Sequence, residues 1–204
     1  MSWKSRRSQL DNFAEGLVKA GALQFGTFTL PDGRESSYYI DLRGILSYPG
    51  LYSMAVDSLK SLISAKAPRA SAICGVPLSG LTLAAPLALS LKKPLTYAVS
   101  KSRGGGRVVE GEVRPDWKVV VVDDLSTTGK TILASARAIQ EEGGDVKDAV
   151  VLVDRIEGAR ERLSREGIGL HSFTDVMELA DTLFSMELIR ERELKATTRS
   201  VGRS

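Results

Sequence analysis

VVVVDDLSTTGKT, residues 119–131, decides how this chain is read. Val119–Val122 is an unbroken β-branched run and the clearest strand in the sequence. It ends on two adjacent acids, Asp123 and Asp124, then crosses a Ser/Thr/Gly loop into a segment of helical spacing. Strand, short loop and helix in that order put the acids and the loop at the carboxyl edge of a parallel sheet, where open α/β folds bind ligands. Ser126–Gly129 offers hydroxyls and backbone N–H groups at the start of a helix, which is a phosphate site by geometry and by helix dipole. Two adjacent carboxylates do not hold that same phosphate; they suit the hydroxyls of a sugar, or a metal ion.

Gly129-Lys130-Thr131 imitates the end of a P-loop. That motif needs a glycine five positions before its GK glycine, and position 124 is Asp, which sets an NTPase aside. A plain βα turn with polar capping residues is the bland alternative. The paired acids count against it, because both charges need solvent or a ligand.

Working outward, apolar strands alternate with helices from residue 51 onward. Helical spacing covers 51–63, helices are read at 132–142 and 158–166, and 79–91 is rich in alanine and leucine; strands are expected at 70–74, 94–99, 149–153 and 168–173. This is the pattern of a parallel sheet covered on both faces. Before it, Leu10, Phe13, Leu17, Val18 and Leu23 mark a helix over 9–23, and Pro31-Asp32-Gly33 sets a turn between strands near 25–30 and 36–41. Residues 100–107, KSRGGGRV, break all periodicity, and the last stretch reads as a surface helix followed by a frayed tail.

Composition excludes more than it assigns. The chain has 204 residues, enough for one well-buried core, so a single domain is expected: a hood over about 1–45, a core over about 50–175, and a C-terminal helix and tail over 176–204. The net charge of +3 suits an anionic small molecule, and no basic stripe with interleaved aromatics points to nucleic acid. No run approaches the length of a membrane span, and the N-terminus lacks the apolar stretch of a signal peptide, so the cytoplasm is the expected location. With Cys74 the only cysteine and His171 the only histidine, the usual structural zinc sets cannot be assembled. Cys74, within ASAICGV, reads as a buried thiol.

The segment at 119–131 resembles the phosphoribosyl pyrophosphate signature of type I phosphoribosyltransferases: an apolar strand, two acids, then a Thr-Thr-Gly loop. Other segments narrow the resemblance to orotate phosphoribosyltransferases. FGTFTLPDGRESSYYIDLRG is similar to that family's N-terminal hood, AICGVP (72–77) to its loop near pyrophosphate, and VVEG (108–111) and VDR (153–155) also fit, in the family's order over residues 13–175. The implied fold is α/β and type I phosphoribosyltransferase-like, a central parallel sheet flanked by helices with a small N-terminal hood.

The implied activity is that of a pentosyltransferase in de novo pyrimidine (UMP) biosynthesis. Orotate's ring nitrogen attacks C1 of the ribose, pyrophosphate departs, and orotidine 5′-monophosphate forms through an oxocarbenium-like transition state. The resemblance assigns Asp123 and Asp124 to the ribose hydroxyls. It assigns Leu125, Ser126, Thr127, Thr128, Gly129, Lys130 and Thr131 to the phosphate loop, with Arg107 added to the same substrate. Thr127, Arg155, Tyr38 and Tyr39 are nominated for orotate, and Lys101 and Arg103, in the lid, for catalysis. Magnesium is the implied cofactor, held by substrate oxygens rather than a dedicated protein cage, and the implied assembly is a homodimer.

The chain departs from the family in two places. Where the hood turn carries a lysine, this sequence has Pro31 or Asp32. The lid region, YAVSKSRGGGRVVEG, is shorter than the family's, lacks its histidine, and keeps only Lys101, Arg103 and Arg107 as basic residues; Gly104–Gly106 suits a mobile lid. Three readings therefore stay open: an orotate phosphoribosyltransferase with a reduced lid, a phosphoribosyltransferase for another base, and a non-catalytic homologue that binds phosphoribosyl pyrophosphate.

Overall fold

The computed structural model describes residues 3–29, 33, 35–100 and 107–201. They form two compact units, one of residues 1–55 with 174–204 and the other of residues 56–173. The hood is thus discontinuous in sequence, and the C-terminal segment folds with it.

In the first unit, α1 (Trp3–Lys19) starts earlier than the apolar pattern indicated. Leu10, Phe13 and Leu17 form its buried stripe, the three- and four-residue steps of one helix face. Strands β1 (Leu23–Thr29) and β2 (Glu35–Ile40) make the expected antiparallel hairpin, with Phe25 opposite Tyr38. A 3-10 helix, Leu42–Ser47, follows, its first turn held by Asp41, whose carboxylate accepts from the Arg43 N–H at 3.1 Å. Helix α2 (Pro49–Lys66) leads into the second unit.

The second unit is the layered sheet. Its strands are β3 (Ala72–Gly75), β4 (Leu95–Ser100), β5 (Arg107–Glu110), β6 (Lys118–Ser126), β7 (Asp145–Asp154) and β8 (Gly169–Asp175), in the spatial order β5-β4-β3-β6-β7-β8. β4, β3, β6 and β7 run parallel. β5 pairs antiparallel with β4 at the edge, a strand the broken periodicity after residue 100 concealed. Intervening helices are α3 (Ser79–Leu91), α4 (Lys130–Glu141) and α5 (Ala159–Ser164).

The valine run is buried because both its faces are covered. Val119 and Val121 join Ala72, Cys74, Val151 and the α4 residues Ile132, Ala136 and Ile139 in one apolar cluster. On the other face α3 lies so close to β3 that a Cβ on Gly75 would sit 2.7 Å from the Leu81 Cα. Each of Val119–Val122 is at most 2% exposed, which is the signature of a central parallel strand. Cys74 is fully buried as a free thiol in β3.

Back in the first unit, α6 (Val176–Ser185) and α7 (Glu191–Val201) replace the expected helix and tail. Asp175 caps α6 by accepting the Glu178 N–H at 2.8 Å, an Asx cap followed three residues later by Glu. Arg6 of α1 grips Glu178 with two bonds of 2.7 and 3.0 Å. Among the described residues no helix is long and apolar enough to cross a membrane.

Candidate active site

β6 runs past the valines and carries both acids and Leu125 to Ser126 before it ends. Register explains this extension: Leu125 pairs with Val153 and Ser126 with Asp154 on β7, so the acids stay in the ladder instead of entering a loop. Asp123 and Asp124 are only 6% and 8% exposed. The Asp123 carboxylate accepts the Asp124 N–H at 2.9 Å, and Asp124 accepts both the Leu125 N–H and the Ser79 hydroxyl at 2.9 Å. Burial, and after it the charge of Asp124 alongside, push the Asp123 carboxyl well above the usual carboxylate range. A second partner, such as a sugar hydroxyl or a cation, would favour the ionised form.

The acids face a cleft of about 190 Å³ lined by Val76, Pro77, Ser79, Asp123, Asp124, Leu125, Ser126, Thr127, Gly129, Thr131 and Ile132. Sequence segments far apart meet here: the AICGVP loop supplies Val76 and Pro77, and the motif at 119–131 supplies the opposite wall. Gly129 has φ +73 and heads α4, whose N-terminus has no side-chain cap. The first-turn N–H groups are thereby left to a ligand. A Cβ on Gly129 would also meet Ala159 of α5 at 3.2 Å, so the loop is packed from behind. Two larger hollows, of about 430 Å³ beside α7 and about 370 Å³ around the start of β6, hold no comparable pair of acids with a phosphate loop. Chemistry, and not size, nominates the smaller one.

Of the remaining nominated residues, Thr128 and Lys130 sit in the loop and the first turn of α4 without lining this cleft. Arg155 follows β7 and donates its backbone N–H to the Ser126 carbonyl at 2.9 Å. Its guanidinium, 12% exposed, pairs with Glu157 at 2.9 Å. Tyr38 and Tyr39 alternate on β2 of the first unit: Tyr38, 2% exposed, is core, while Tyr39 keeps a ring 39% exposed. Lys101 and Arg103 lie outside the described residues, as do Pro31 and Asp32 of the hood turn, and Arg107 opens β5.

Sequence reasoning missed Ser79, Gly80, Asp154 and Glu157. A Cβ on Gly80 would stand 2.5 Å from the Val122 carbonyl oxygen and 2.8 Å from the Asp123 Cα. The Ser-Gly pair at 79–80, just after Gly-Val-Pro, was the available signal, since small residues at a helix start permit close approach of backbones. Among the described residues no group of three or more His, Cys, Asp or Glu could cage a metal ion.

This architecture, with paired acids ending a central parallel strand and a Ser-Thr-Thr-Gly loop opening the next helix, defines the class. Residues 54–171 match the model of the phosphoribosyl transferase domain. An orotate phosphoribosyltransferase of Cenarchaeum symbiosum is 38% identical over 186 residues, 88% of this chain and 92% of that protein. The crystal structure of orotate phosphoribosyltransferase from Aeropyrum pernix superposes with a TM-score of 0.73 at 42% identity, covering 86% of this chain and 99% of that one. Leishmania donovani UMP synthase gives a TM-score of 0.84 at 26% identity; there the match spans 95% of this chain and 42% of the other. The chain belongs to the orotate phosphoribosyltransferase family.

Proposed function

We propose that this protein transfers the 5-phosphoribosyl group from phosphoribosyl pyrophosphate to orotate, giving orotidine 5′-monophosphate and pyrophosphate. The observation that carries the reading is the geometry at the end of β6: two buried carboxylates beside an uncapped helix N-terminus in one cleft. The helix and the hydroxyls of Thr127 and Thr131 suit the 5′-phosphate, while Asp123 and Asp124 suit the ribose hydroxyls; the Ser126 hydroxyl is donated instead to Asp154 at 2.9 Å. Leu125, Thr128, Gly129 and Lys130 complete the loop.

The reaction needs no covalent nucleophile from the protein. As the bond from C1 to pyrophosphate lengthens, positive charge grows on the ribose, and the two carboxylates beneath it stabilise that charge. The loop fixes the ribose, so the base nitrogen attacks from a bound position instead of from solution. Arg155, held by Glu157, suits the carboxylate of orotate. Tyr39 is proposed for the base on the family resemblance alone; Lys101, Arg103 and Arg107 are proposed to neutralise the departing pyrophosphate.

Magnesium fits the donor set as a substrate-borne ion: two carboxylates and the substrate's own oxygens satisfy a hard cation that keeps its waters. When bound it would offset charge on the pyrophosphate. A homodimer and a cytoplasmic location belong to the same proposal.

The test is turnover of orotate with phosphoribosyl pyrophosphate and magnesium, followed by loss of orotate absorbance. Formation of the nucleotide supports the reading. Absence of turnover, with phosphoribosyl pyrophosphate still binding by calorimetry, would sink it in favour of another base or a non-catalytic homologue.

A further inference from the structure

The end of β7 carries a buried acid that none of the steps above uses. Asp154 is 1% exposed. Its Oδ1 accepts the Ser126 hydroxyl at 2.9 Å and the Ile156 N–H at 3.0 Å. Its Oδ2 lies 2.7 Å from the Arg160 Nε. Arg160 is itself tethered, donating to the Leu170 carbonyl at 2.9 Å and to the Ser172 hydroxyl at 2.8 Å.

The next two residues explain what this anchoring achieves. Ile156 has φ +58. A β-branched side chain rarely adopts that left-handed conformation. Such strain persists only where the surroundings over-determine it, and it concentrates at ligand sites. Here the Asp154 carboxylate captures the Ile156 N–H, and the residues flanking Ile156, Arg155 and Glu157, are joined by an ion pair at 2.9 Å. The same carboxylate grips Ser126, the last residue of β6, where the chain turns toward α4.

We infer that Asp154 is a positioning residue: through Ser126 and the strained Ile156 turn it fixes the Arg155 arm relative to the phosphate loop, and so sets the affinity for orotate. This rests on the proposed function, because it takes Arg155 as the orotate contact. A positioning role predicts a particular split. The phosphate loop keeps its own backbone donors when the tie is cut, so the KM for phosphoribosyl pyrophosphate holds. The Arg155 arm loses its registration, so the KM for orotate rises.

Three variants test it by steady-state kinetics and thermal melting. Asp154→Asn keeps an oxygen to accept from Ser126 and Ile156 while losing the charge toward Arg160; it should melt lower but keep its orotate KM within about threefold of wild type. Asp154→Ala should raise that KM tenfold or more. Ser126→Ala cuts only the tie to the loop and guards against a misfolded Asp154→Ala; it should raise the orotate KM about three- to tenfold, leaving the KM for phosphoribosyl pyrophosphate within twofold. If Ser126→Ala leaves the orotate KM unchanged, or raises both KM values equally, the inference fails while the proposed activity stands. An inactive wild-type protein overturns both.

Discussion

Replacing Gly80 with alanine puts the closest contact in the candidate site to a quantitative test. The added Cβ would sit 2.5 Å from the Val122 carbonyl oxygen, 2.8 Å from the Asp123 Cα and 2.8 Å from its Oδ1. Two of these are main-chain atoms of the central strand and cannot swing aside. To reach ordinary van der Waals separation, α3 and β6 must part by roughly 0.7–1 Å. Two effects compete. Alanine in place of a helical glycine is worth up to about 1 kcal/mol, less here because Gly80 is in the first turn of α3. Overpacking against rigid neighbours costs about 1–3 kcal/mol. The clash wins, and the net loss of about 1–2 kcal/mol lowers the melting temperature by about 2–8 °C for a chain of this size. Because the moving atoms belong to Asp123, activity suffers more than stability: a displacement approaching 1 Å at the reacting centre costs on the order of 100-fold. Gly50→Ala is the control, since a Cβ there meets nothing within 4 Å. Differential scanning fluorimetry and the orotate assay read the two effects. A Gly80→Ala protein that melts at or above the wild-type temperature with unchanged kcat/KM would refute the argument from close approach.

Other consequences are equally direct. Burial and the neighbouring Asp124 raise the Asp123 carboxyl above its unfolded value, so the native state binds the extra proton and stability falls as pH rises from the unfolded carboxyl pKa through the folded one. Asp123→Asn should therefore remove that pH dependence and raise the melting temperature at pH 7 by about 2–4 °C, from a gain of about 1 kcal/mol, while turnover drops at least 100-fold; a lower melting temperature would contradict it. The Glu178 carboxyl is held low despite the opposing effect of its burial, because Arg6 hydrogen-bonds to it. Its contribution should be lost as pH falls through the folded value, and Glu178→Gln should cost only about 0.5–1 kcal/mol, the pair being partly exposed, as chemical denaturation at pH 7 would show. Arg155→Lys keeps the charge but loses the fork geometry; the orotate KM should rise at least tenfold, and an unchanged value would remove Arg155 from the base site. Chelation of magnesium should abolish turnover but move the melting temperature by less than about 1 °C, since a substrate-borne ion contributes nothing to folding of the free protein.

By itself the sequence determined the central strand, its loop and the alternation of strands and helices. These are local matters: four consecutive valines can only be satisfied between two covered faces, and a Ser-Thr-Thr-Gly turn into a helix exposes N–H donors wherever it occurs. The hairpin was equally legible, because proline, aspartate and glycine specify a turn and its flanks are β-formers. The remaining features depend on contacts between distant segments. Strand β5 is a four-residue edge whose existence depends on β4 being beside it. The acids belong to β6, and not to a loop, because Ser126 finds Asp154 across 28 positions of chain. Residues 174–204 group with the first 55, an association that local periodicity does not encode. Gly80, Ser79 and Asp154 draw their meaning from partners distant in sequence, against which they pack or hydrogen-bond. A local pattern records which face a residue prefers, whereas the identity of the atom it meets is settled only when the strands take their register.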